Sequence, residues 1–125
     1  MKKGTQISDT EWTVMKVIWK DSPITANEVI EGLEESTDWS DRTIRTLLNR
    51  LVKKKVISYK KDGRRYLYYP IVTENECIKK ENKSFLNRVY SGAVTLMFAK
   101  FLEEESLSDK EIEELKEILD KKKKR

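Results

Sequence analysis

Ser8 with Glu11, Thr25 with Glu28, and Ser108 with Glu111 each place a hydroxyl residue three positions before a glutamate at the start of an apolar periodic run. The hydroxyl and the carboxylate each satisfy a helix amide that would otherwise lack a partner, so each pair marks a helix start. Hydrophobic staples flank the boxes, Ile7 with Trp12, Ile24 with Val29 and Leu107 with Ile112. A fourth start, Ser40, keeps the staple (Trp39 with Ile44) but has Thr43 where the others have glutamate. A carboxylate there would repel phosphates that a helix N-terminus attracts, so the exception suits an anionic partner. Simple tolerance of threonine is the other reading, since Asp41 remains in the same turn.

These punctuation marks predict a first helix from about Asp9 to Lys20, burying Trp12, Met15, Ile18 and Trp19, with Pro23 marking the break after it. A second helix is expected from about Ala26 to Glu35 with Ala26, Val29, Ile30 and Leu33 inward. The third, within Trp39 to Lys55, carries Ile44, Leu47, Leu48 and Leu51 at the spacing of one buried face. At about 100° per residue, Arg42, Arg45, Thr46, Asn49 and Lys53 fall on the opposite side. Arginine reads guanine edges, asparagine reads adenine, and threonine contacts hydroxyl or methyl groups, so such a helix suits a nucleic-acid groove. Next, VISYKKDGRRYLYYP reads as a hairpin with Asp62-Gly63 as a type I′ turn pair and Pro70 ending the second strand. Three helices followed by a basic hairpin make a winged helix-turn-helix. Lys60, Lys61, Arg64 and Arg65 would give the wing four positive charges to track phosphates.

The charge distribution agrees. The net charge is +4, but residues 40–65 hold 10 basic and 2 acidic side chains, while 73–125 hold 12 of each. A local patch of this kind favours a defined nucleic-acid face over a uniformly lysine-rich surface. There is no histidine, and Cys77 is the only cysteine. Intramolecular disulfides, imidazole triads and His-based metal sites are thereby excluded, and an inert thiol is expected. No glycine-rich phosphate loop or paired apolar carboxylates mark an enzyme, and no cofactor or small-molecule site is evident. No run approaches membrane-spanning length, and MKKGTQ carries no apolar leader core, so a soluble cytoplasmic protein without membrane insertion is expected.

From Glu74 the pattern turns to helices alone. Glu74 to Tyr90 places Ile78, Phe85, Leu86 and Val89 on one side, Gly92 interrupts, and Ala93 to Leu102 is apolar nearly all round. A monomer this small would struggle to bury that segment, so self-association is expected. Leu107 to Lys121 adds an amphipathic helix with Ile112, Leu115, Ile118 and Leu119, and KKKKR reads as a frayed basic tail. A helical lid folded back on its own domain is the alternative, although a single winged-helix domain offers little apolar surface to cover. The expected fold is mainly α with a small β-hairpin: a winged helix-turn-helix DNA-binding domain over residues 1–72, then an all-α dimerisation domain over 73–125.

In order and spacing, ISDTEWTVMKVIW, TANEVIEGL, DWSDRTIRTLLNRLVKKK, YYP, SFLNRVYSG and LSDKEIEELKEIL resemble the BlaI/MecI family of penicillinase repressors over almost the full length. The resemblance implies a homodimeric, non-enzymatic repressor of double-stranded operator DNA. Its operators would be inverted repeats with TACA/TGTA cores, often in promoters of β-lactamase or penicillin-binding-protein genes. It implies base contacts from Arg42, Thr43, Arg45 and Thr46, and phosphate contacts from Ser40, Asn49, Arg50, Lys53 and the wing cations, although Arg50 and Lys53 also fit a solvated helix face. Dimer contacts would come from Phe85, Leu86, Val89, Met97, Phe98, Phe101 and Leu102, with Ile112, Leu115 and Leu119 available to the same interface. In the family a membrane sensor-protease that detects a β-lactam leads to cleavage of the repressor at an Asn-Phe bond. Here the aligned pair is Lys100-Phe101, which keeps the apolar surroundings and changes the residue before the bond. The copper-responsive CopY-type branch uses Cys-x-Cys motifs, which a chain with Cys77 alone lacks. The rival from another class is a winged-helix module that binds an acidic protein, but such a face needs only lysines.

Overall fold

The computed structural model describes residues 6–124; most of the MKKGTQ stretch and the final Arg125 lie outside the described residues. Six helices and one hairpin follow in the order α1 (Asp9–Asp21), α2 (Ala26–Leu33), α3 (Asp41–Lys53), β1 (Ile57–Asp62), β2 (Arg65–Pro70), α4 (Glu74–Tyr90), α5 (Val94–Glu104) and α6 (Asp109–Lys123). The fold is mainly α with a two-stranded antiparallel hairpin. The chain divides into two compact units, Met1–Glu81 and Asn82–Arg125.

The capping grammar is built as written. Ser8, Thr25 and Ser108 each form a reciprocal box with the glutamate three residues on. A further box opens α4: the Thr73 N–H donates to Glu76 Oε1 at 2.9 Å and the Glu76 N–H donates to Thr73 Oγ1 at 3.1 Å. That Thr-x-x-Glu spacing was present in the sequence, immediately after the hairpin. Backbone and hydroxyl donation hold the Glu28 and Glu76 carboxyls below the usual carboxylate range.

The first unit's core gathers Ile7, Val14, Met15 and Ile18 with Val29, Ile30 and Leu33, the α3 stripe Ile44, Leu47, Leu48 and Leu51, and Val56, Ile57 and Tyr68. Trp12 and Trp19, expected inward, are only half-buried; the buried α1 stripe is Glu11, Val14, Met15 and Ile18. The two indoles tilt against each other at 5.5 Å on its flank. Trp19 Nε1 donates to the Val72 carbonyl at 3.0 Å, so the ring must reach the core's edge rather than its centre. Ala26 is likewise half-buried, and α2 stops at Leu33, short of Glu35.

Two more expectations are corrected. The register pairs Asp62 with Arg65, which makes Gly63 and Arg64 the loop in place of Asp62-Gly63. Of these only Gly63 has positive φ, at 66°, the pattern of a type II′ turn with glycine first rather than type I′. The C-terminal lysines are not frayed: α6 continues through Lys123, where three lysines face the negative end of the helix dipole.

Ile24 forms an isolated antiparallel bridge with Tyr68, each N–H donating to the other's carbonyl at 3.0 and 2.7 Å. This one-residue third strand ties the entry of α2 to the hairpin. In the sequence Ile24 shows only as a staple, because a single bridged residue leaves no period to detect.

Candidate nucleic-acid interface

α3 presents the surface that matters. Its Ser40 cap accepts the Thr43 N–H at 3.1 Å, and the two hydroxyls lie 3.1 Å apart, closing the helix start without a carboxylate from the third position. Ile44, Leu47, Leu48 and Leu51 are buried. Ser40, Arg42, Thr43, Arg45, Thr46, Asn49, Arg50 and Lys53 are all exposed. A shallow cleft of about 350 Å³ runs along part of this face, lined by Arg42, Thr43, Thr46, Leu47 and Arg50 with Trp39 and Thr10. Trp39 and Thr10 were not marked as site residues. In the sequence Trp39 reads as a staple residue alone, and Thr10 reaches the cleft because α1 packs against α3.

Arg45 is not part of the cleft lining. Its Nη2 donates to Asn27 Oδ1 of α2 at 2.8 Å. Burial pushes the Tyr68 phenol up, and the Arg45 cation offsets part of that rise.

The wing cations are exposed but do not act as one group. Strand alternation sends Lys60 and Lys61 to opposite faces, with Lys60 opposite Leu67 and Lys61 opposite Tyr66. Arg65 Nη2 pairs with Asp62 Oδ2 at 3.0 Å, whereas Arg64 sits in the turn. Tyr59 stacks on Tyr66 at 4.5 Å, stiffening the face that also carries Tyr68. The linear charge count around α3 also includes Lys54, whose Nζ pairs with Glu11 at 2.6 Å and so adds little to the face.

Farther along, Phe85 stacks against Phe101 at 6.4 Å and meets Tyr90 edge-on at 5.8 Å. Phe85, Leu86 and Met97 are half-buried, while Val89, Phe98, Phe101, Leu102, Ile112, Leu115, Ile118 and Leu119 are exposed. From Ile71 to Lys124 no residue is buried, although about half of the Phe98 surface and 66% of Leu119 is open to solvent. Lys100 and Phe101 lie exposed within α5. Cys77 packs against the first unit's core, and burial pushes its thiol up, away from the reactive thiolate. Among the described residues no helix is long and apolar enough to cross a membrane.

The penicillinase repressor family model matches residues 7–121. This chain belongs to that family. A penicillinase repressor of Bacillus licheniformis is 48% identical over 125 residues, covering 100% of this chain and 98% of that protein. The methicillin resistance regulatory protein MecI of Staphylococcus aureus is 45% identical over 120 residues, covering 96% of this chain and 98% of that protein. The solution structure of the Bacillus licheniformis BlaI monomeric form in complex with the blaP half-operator is 50% identical, with a TM-score of 0.53. The likeness covers 61% of this chain and 93% of that one. The DNA-binding domain of the repressor BlaI matches with the same coverage and a TM-score of 0.54, so the winged-helix architecture is shared within the family.

Proposed function

We propose that this chain is a homodimeric, sequence-specific transcriptional repressor, with residues 1–72 as the DNA-binding part and residues 73–125 as the dimerisation part. Its operators are inverted repeats of TACA/TGTA type, in promoters of β-lactamase or penicillin-binding-protein genes. The observation that carries the reading is the two-sided α3: a buried leucine and isoleucine stripe behind an exposed face of arginine, threonine and asparagine. At 13 residues, α3 is about 20 Å long, enough to lie in a major groove. Likeness to a BlaI structure that holds a half-operator supports the same docking.

Arg42, Thr43, Arg45 and Thr46 read bases. Ser40, Asn49, Arg50, Lys53, Lys60, Lys61, Arg64 and Arg65 hold phosphates. The exposed apolar residues of α4, α5 and α6 support dimerisation, since contiguous apolar surface in water is unfavourable and a second copy can cover it. Dimerisation joins two half-site contacts into one binding event, so weak half-site affinities multiply. The family resemblance supports relief of repression by a membrane sensor-protease, and the corresponding bond is Lys100-Phe101. A chain left intact in sensor-bearing cells after β-lactam exposure would assign induction to another signal.

The test is a fluorescence-anisotropy titration against a duplex with inverted TACA/TGTA half-sites and against a scrambled duplex, at two salt concentrations. The expected result is operator preference of a few hundredfold with dimeric stoichiometry. Equal, steeply salt-dependent binding to both duplexes would reduce the face to a phosphate sensor. Arg45→Ala should cost roughly 1–3 kcal/mol of operator affinity with dimerisation intact.

A further inference from the structure

We propose that Asn27, in the first turn of α2, is a positioning residue that holds the Arg45 guanidinium in place for base recognition. The inference rests on the operator-reading function above and deepens it by naming a residue on a different helix that sets specificity.

The geometry is direct. Arg45 Nη2 donates to Asn27 Oδ1 at 2.8 Å, across 18 residues of sequence. Among the described residues, Arg45 alone of the exposed-face cations Arg42, Arg45, Arg50 and Lys53 is tied to a neighbouring helix. Arginine offers only donors, so the Asn27 amide must turn its oxygen toward it. One of five guanidinium N–H groups is occupied, and four are left for a base edge.

Asn27 is itself well fixed. The Thr25 N–H donates to Glu28 Oε1 at 2.9 Å and the Glu28 N–H to Thr25 Oγ1 at 3.1 Å, so the turn that carries Asn27 is locked at both ends. One residue earlier, the Ile24 bridge to Tyr68 clamps the same segment to β2. A path of short-range contacts therefore runs from the hairpin through Ile24, Thr25 and Asn27 to Arg45. The guanidinium is registered against the wing as well as against its own helix. A long, flexible arginine that is already restrained loses less rotamer freedom when it meets a base, and this is how a tether away from the DNA raises specificity.

The experiment uses the full chain and anisotropy titrations of the inverted-repeat duplex, together with duplexes in which each half-site base pair is changed in turn. Arg45→Ala should erase discrimination at one base pair. Asn27→Ala should weaken operator affinity by roughly 2- to 12-fold, the scale of ordering one rotamer-rich side chain on binding. It should also reduce discrimination at that same base pair and no other. In an Arg45→Ala background, Asn27→Ala should change affinity by less than about twofold, because the tether has nothing left to hold. Asn27 is exposed and alanine favours a helix, so the variant should fold, which circular dichroism checks. Wild-type preference for the operator with an unaltered Asn27→Ala, or with additive losses in the double variant, would overturn the inference and leave the repressor reading standing. Absence of any operator preference in the wild-type chain would overturn both.

Discussion

Glu11→Gln should destabilise the winged-helix unit through a charge that sequence patterning placed only in a helix cap. Glu11 is 1% exposed. Its Oε1 accepts the Ser8 N–H at 2.9 Å and the Lys54 ammonium at 2.6 Å, and Lys54 also donates to the Gln6 carbonyl at 2.8 Å. One carboxylate thus closes the start of α1 and clamps it to the end of α3. Burial pushes its pKa up, but donation from Lys54 and from the Ser8 backbone outweighs burial and leaves it below the usual carboxylate range.

Glutamine keeps the volume and one acceptor while removing the charge, so the loss is that of a charge-assisted hydrogen bond, about 1.5–3 kcal/mol. The low end is expected, because Lys54 remains 29% exposed and its ammonium stays partly hydrated. With a urea slope of about 1–3 kcal/mol per molar, a loss of about 2 kcal/mol lowers the midpoint by roughly 1 M. Trp12, Trp19 and Trp39 are the only tryptophans, and all lie in the first unit, so tryptophan fluorescence, excited selectively over tyrosine, reports on that unit alone in urea. The folded-state pKa is depressed, so the carboxylate's contribution is present above the unfolded value of about 4.3 and is lost as pH falls through the lower folded value. The gap between wild type and Glu11→Gln should therefore be full at pH 7 and close at acid pH, where both side chains are neutral. Equal stabilities at pH 7, or a gap that does not change with pH, would refute the argument.

Leu51→Ala, at a position with no exposed surface, should cost about 2–5 kcal/mol and is read by the same fluorescence transition. For the proposed dimer, Phe98→Glu should give a monomer by sedimentation and abolish cooperative operator binding, with helical circular dichroism retained. Each lost phosphate contact lowers the slope of log affinity against log salt by about 0.9. Because Arg65 is already paired with Asp62, Arg64→Ala should flatten that slope more than Arg65→Ala.

Much of the fold was legible because it is local. Caps and the α3 stripe depend on residues three or four apart, and both are built in the expected places. The exposed face of α3 was legible for the same reason: once the leucines are inward, helix geometry leaves Arg42, Thr46, Asn49 and Lys53 outward. The turn type was misread because Asp62-Gly63 has the composition of a type I′ pair, whereas strand register decided which two residues form the loop.

What the sequence alone determined, then, was the list of helices, the hairpin, the wet side of α3 and, with no histidine in the chain, the exclusion of imidazole chemistry. Only the tertiary structure decided which charges are available to a partner. Lys54 is neutralised by Glu11, 43 residues away, and Arg45 is held by Asn27 on a neighbouring helix. The insertion of Ile24 beside Tyr68 likewise brings α2 to the wing. The physical reason is range: helical periodicity and caps are set within a turn or two of chain, while ion pairs, tethers and bridges form between residues that only folding brings within 3 Å.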